Sequence, residues 1–172
     1  MAHTAQSAPS FDNTDIRPLV SSVDILDAGL KRFYEEWLAN RSTNNFPHPD
    51  SIDLLDYAED ASRWSILDVI DGGEAFYVRM CGSQIVALVG VDFTGQRLSR
   101  DLSELPGIAI QNRIGTMFRT VIDTSSPIIF GPKTSSVEGK EFLTLNSICL
   151  PFSDDGKSVT RIIHALAIVP PQ

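Results

Sequence analysis

Apolar residues change their spacing along this chain, from steps of three and four to strict alternation and back, and each change marks an element. Val23, Leu26, Leu30, Phe33 and Trp37 recur at alternating steps of three and four, which places them on one stripe of a helix. Ser21 followed by Asp24 has the form of a capping box that would start it. Asp27, Lys31, Glu35 and Arg41 fall on the other face, and polar residues 40–45, followed by Pro47 and Pro49, end the helix. Residues 51–62 read as one or two short helical turns. From residue 64 the period drops to two, predicting strands over 64–70 and 75–81. Asp71-Gly72-Gly73 between them predicts a hairpin. In its second strand, alternation sends Phe76, Val78 and Met80 one way and Tyr77, Arg79 and Cys81 the other.

Gly82 closes that strand. Ser83 can cap a short apolar helix carrying Ile85, Val86, Leu88 and Val89, with Gly90 as its stop. Residues 91–95 form a connector, and 97–104 are polar and exposed. Pro106 precedes a longer helix over 108–122, striped by Ile110, Ile114, Met117, Phe118, Val121 and Ile122. Three strands finish the chain, at 127–133, 140–151 and 159–169. Pro132 gives the first an edge position or an early end, and the last is the most apolar and therefore central. Strands joined largely by hairpins must be mostly antiparallel. The helices between the second and third must cover one sheet face, leaving the N-terminal helix free to cover the other. The organisation expected is a mobile polar arm over 1–19, a helix within 20–45 and a core over 46–172.

Composition narrows the role. With 172 residues, 42% of them apolar, there is enough for one domain with a sizeable core. No apolar run approaches the roughly 20 residues of a membrane span. The N-terminus lacks the basic start and apolar stretch of a secretory signal, so a cytoplasmic location is expected. Net charge is −8, with the acidic surplus before residue 107; such a surface repels phosphate backbones and argues against a nucleic-acid partner. Cys81 and Cys149, each flanked by apolar residues, read as buried reduced thiols, not a disulfide or metal pair.

Several segments resemble one family. The stretches FYEEWLANR, NNFPHPDSIDLLD, FYVRMCGSQIVALVGVDFTGQ and LNSICLPFSDDGKSVTRIIHAL are similar to a bacterial, alphaproteobacterial PAS subfamily, over roughly residues 30–169. The central stretch carries its Tyr/Phe-x-Arg-x-x-Gly and Gly-x-Asp-x-Thr-Gly runs. His48 departs from the arginine that members often carry. The resemblance implies an α+β fold with a five-stranded antiparallel sheet in the order 2-1-5-4-3. Any cavity would lie between the sheet and helices 83–90 and 107–123. It also implies sensing or interaction, not catalysis.

Candidate chemistry is sparse. Arg79 could grip an anionic ligand, or pin the connector by pairing with an acid such as Asp92. Tyr77 shares its face. Asp92, Thr94 and Gly95 suit turn chemistry. His164 alternates with Ile162 and Leu166 and is a core histidine or, given an open cavity, a haem ligand. Zinc spacing, phosphate loops, a nucleophile elbow and the flavin-type Asn-Cys-Arg run are missing, so no cofactor can be named. Tyr77, Arg79, Asp92, Thr94 and His164 are the ligand candidates. Leu26, Leu30, Phe33 and Trp37 either pack on their own sheet or form a homodimer seam, and the seam is the reading preferred here. The expected function is a stand-alone sensory or adaptor module binding a small ligand or a signalling protein. One rival is a small cone-fold isomerase or dehydratase using Asp68 and His164. The other is a purely structural dimerisation domain.

Overall fold

A computed structural model describes residues 15–41, 43 and 45–170; residues 1–14 of the expected arm, with His3, lie outside them. Among the described residues seven strands form one antiparallel sheet: β1 (Ile16–Pro18), β2 (Trp64–Ile70), β3 (Ala75–Cys81), β4 (Arg97–Ser99), β5 (Ile128–Thr134), β6 (Thr144–Phe152) and β7 (Arg161–Val169), in the order β1-β5-β6-β7-β2-β3-β4. The sheet thus has seven strands where five were expected, and its full order differs because β1 and β4 are added at its rims; the five longer strands keep the expected neighbours, β3-β2-β7-β6-β5. Two three-residue strands flank the longer ones, and β1 shows that part of the polar arm is paired. It bonds to β5 through Ile16–Phe130, Arg17–Ile129 and Pro18–Ile128, so β5 is not an edge despite Pro132. The apolar β7 is central.

Among the described residues three α-helices complete the fold: α1 (Ala28–Asn40), α2 (Ser83–Val89) and α3 (Ile108–Thr124). Ser21 does cap, but what it caps is a 3-10 turn over Ser22–Asp24. α1 starts later, with the Asp27 carboxylate accepting from the Leu30 amide at 2.9 Å. The turn shifts the helical phase, so Val23 and Leu26 face outward while Leu19 and Ile25 are buried in their stead. At α2 the N-cap is Gly82, not Ser83, and Gly90 closes the helix in the left-handed region at φ 91°. Gly82 is needed because a Cβ there would collide with the carbonyl oxygens of Ala61 and Ser62.

Two apolar cores lie on opposite faces of the sheet. The outer one packs Leu30, Phe33 and Trp37 of α1 against Ile66, Ile148 and Ile163. Phe33 lies 4.4 Å from the Trp64 ring, and Trp37 Nε1 donates to the Pro151 carbonyl at 2.8 Å. These side chains are wholly buried within one chain. That corrects the dimer-seam assignment of Leu30, Phe33 and Trp37, because the sheet they would leave is itself apolar. Leu26, half exposed, is tied to the sheet through its amide, which donates to the buried Asn146 side chain. Burial of each aromatic is worth about 2–3 kcal/mol. The inner core lies under α2 and α3 and holds Phe76, Val78, Phe118 and Ile162.

Candidate functional site

The inner face carries the candidate site. Two small cavities of about 50 Å³ each sit between the sheet and α2 and α3, where the resemblance placed any cavity. They share a wall made by Ile85, Val89, Ile114 and His164. The first extends toward Ser65, Cys81 and Phe93, the second toward Met117, Ser147 and Arg113. Spaces of this size suit a few waters or a very small molecule. A haem or flavin would require the helices to move apart.

His164 reaches this wall through alternation on β7. Ile162 and Leu166 share its face in the inner core, while Ile163, Ala165 and Ala167 join the outer one. In register it lies between Ser65 of β2 and Cys149 of β6. Its ring meets Phe118 edge-on at 6.0 Å. It is 7% exposed, and burial pulls its pKa down to about 4, so the imidazole is neutral at physiological pH. Among the described residues no hydrogen bond reaches it. Burial raises the pKa of both the Cys149 and Cys81 thiols. Arg113 stacks its guanidinium 4.4 Å over the Phe130 ring, and burial draws it below its ordinary value.

The other candidates lie elsewhere. Two of them, Tyr77 and Arg79, lie on β3, which carries a bulge. Leu67 pairs with Val78 and Ile66 with Met80, so Arg79 is the extra residue. The bulge reverses the expected faces: Met80 packs on the outer core, and Cys81 turns to the cavity. Tyr77 and Arg79 are exposed, away from the cavity. Arg79 bonds Asp68, not Asp92, and Asp68 also accepts from Arg161 Nε at 2.9 Å. Because Leu67 faces the inner core, its neighbour Asp68 faces outward. It therefore cannot work with His164, as the cone-fold enzyme reading needs.

Asp92 and Thr94 do the turn chemistry their types suggest. The Asp92 carboxylate accepts from the Thr94 amide at 2.9 Å, and the Thr94 hydroxyl accepts from the Cys81 amide at 3.0 Å. A bond from the Thr94 side chain, together with that from the Thr94 amide, holds the Asp92 carboxyl below its ordinary range. The connector so fixed delivers Phe93 to the cavity. Of the five ligand candidates, then, only His164 faces it. Ser65, Cys81 and Ser147 were missed. The signal for Ser65 and Ser147 is positional, each being a polar residue on the apolar inner face of its strand, whereas Cys81 reaches that face only through the bulge. Lys140 was missed too; read as strand, it instead caps α2, its ammonium donating to the Ala87 carbonyl and, at 3.0 Å, to that of Leu88.

Among the described residues no helix is long and apolar enough to cross a membrane, and no three His, Cys, Asp or Glu side chains gather to hold a metal ion. No curated protein and no solved structure is significantly similar to the chain. A family model described as a PAS domain matches residues 27–167, which takes in α1, both cavities and the buried residues of the two cores save Leu19 and Ile25. The chain therefore belongs to the PAS domain family.

Proposed function

We propose that this chain is a sensory or adaptor module that takes a small molecule at the inner face of its sheet and passes the change to a partner protein. The observation carrying this reading is the pair of adjoining cavities with a neutral, unbonded imidazole in their common wall. A polar group held without a partner in an apolar core costs stability unless something bonds to it. Occupancy would favour one arrangement of α2 and α3 from those already populated. Strands β6 and β7 offer a route outward, since their residues alternate between the inner core and the core under α1. The cytoplasm and a bacterial signalling pathway are the setting, and a homodimer, if formed, uses surface other than Phe33 and Trp37. A catalytic role has less support, because Asp68 and His164 lie on opposite faces.

The small size of the cavities favours one other reading, a purely structural module with a nearly filled core. Native mass spectrometry of freshly purified protein, with thermal melts across a panel of metabolites, separates the two. A retained small molecule, or a saturable rise in melting temperature, supports the sensory reading. A bare chain mass together with melts unmoved by every compound refutes it.

A further inference from the structure

We infer that His164 is the polar anchor for a small uncharged ligand, with one hydrogen-bonding group at the imidazole and an apolar body against Ile85, Val89 and Ile114. The inference rests on the sensory reading above and names the chemistry of its ligand. Its basis is the lining. His164 is the polar side chain common to both cavities, and it is more than nine-tenths buried. No hydrogen bond reaches its ring among the described residues, although a neutral imidazole carries one donor and one acceptor. An incoming hydroxyl or amide could donate to the bare nitrogen or accept from the N–H, and a carbonyl could accept from the N–H.

The charges available argue against an ionic head. Among the described residues no carboxylate lines either cavity, so a cationic ligand would bury an unpaired ammonium. Arg113 borders only the second cavity, and its guanidinium lies over Phe130; the first offers an anion no cation at all. The apolar side chains Ile85, Val89 and Ile114 divide the two spaces. Rotamer changes there would join them into one slot long enough for a short chain, with the imidazole at its middle.

Three probes with the same four-carbon chain test this: 1-butanol, butyrate and butylammonium. Each is titrated into the full-length protein while NMR follows the methyl groups of Ile85, Val89 and Ile114 and the ring nitrogens of His164. The expected result is saturable movement of both sets by 1-butanol alone. His164→Leu should weaken that binding about tenfold, the effect of one hydrogen bond in a dry site. His164→Gln, which keeps a donor and an acceptor, should recover part of it. Melting curves and circular dichroism establish that both variants fold. Equal binding of 1-butanol by the wild type and His164→Leu would overturn the anchor while leaving the cavity as a binding site. Tighter binding of butyrate or butylammonium would overturn the uncharged class. No methyl movement by any probe at tens of millimolar would overturn the inference, whereas the sensory reading falls only with the mass and melting results above.

Discussion

Acidification should destabilise this protein through His164 before its carboxylates contribute. In the unfolded chain an imidazole takes up its proton as the pH falls through about 6.5. In the folded chain burial delays that until about 4. Between those values the unfolded state binds more protons, so stability present at neutral pH falls as the pH falls. The loss is about 2 kcal/mol by pH 5 and about 3 kcal/mol by pH 4, where it begins to level off. Against a typical domain stability of about 5–15 kcal/mol this is easily measured. Asp27, Asp92, Asp101, Glu104 and Asp155 are all held below their ordinary values, Asp155 at about 2. Their losses come at lower pH, which leaves the interval from 7 to 5 clear. The groups around the imidazole do not interfere: the Cys81 and Cys149 thiols stay protonated, and Arg113 stays charged. Urea unfolding of the wild type and of His164→Leu at half-unit steps from pH 7.5 to 5 gives the difference curve, in which the surface His48 cancels. A wild-type loss of about 2 kcal/mol that the variant lacks is expected. Parallel curves, or a ring titration centred near 6.5 in the folded protein, would refute a buried neutral imidazole.

Trp37→Ala should cost about 3–5 kcal/mol and leave the mass in solution unchanged; altered subunit mass with an unmoved melting temperature would restore the seam reading. Gly82→Ala should cost about 2–3 kcal/mol, because the added methyl meets backbone oxygens that cannot yield. Gly90→Ala has open space around it and should cost only about 1 kcal/mol for its left-handed backbone; equal melting shifts would disprove the distinction. Asp68→Ala leaves the mostly buried Arg161 without its carboxylate and should cost about 1.5–3 kcal/mol. Arg79→Ala, at the exposed end of the same cluster, should cost under about 1 kcal/mol, and urea unfolding that reversed this order would show the network to be centred elsewhere.

The longer strands were legible because each is half-buried or better, so alternation records which side meets a core. The same alternation put His164 with Ile162 and Leu166, as the structure does. Strands β1 and β4 were not legible, since three residues carry no period and Ile16-Arg17-Pro18 reads as coil. The bulge at Arg79 left no trace either: an added residue changes the phase without changing the composition, and Met80 and Cys81 exchanged faces. Spacing also could not choose between Asp68 and Asp92 as the partner of Arg79, because that choice depends on which strand lies alongside β3. The stripe on α1 was real from Leu30 onward. Its first two members failed because Ile25 and Asp27 interrupt the helix that the three-and-four spacing assumed.

Both rims of the sheet are strands of three residues, Ile16–Pro18 and Arg97–Ser99, and Pro18 has no amide hydrogen to offer. An incoming extended segment could stitch only a few backbone bonds onto either rim. Open rims of longer strands template fibrils and let peptides join a sheet, and this fold offers little purchase for either. On the proposed reading, a protein that senses the state of this module would recognise side chains on its helices, loops or broad surfaces, where specificity comes from shape and charge and not from backbone continuation.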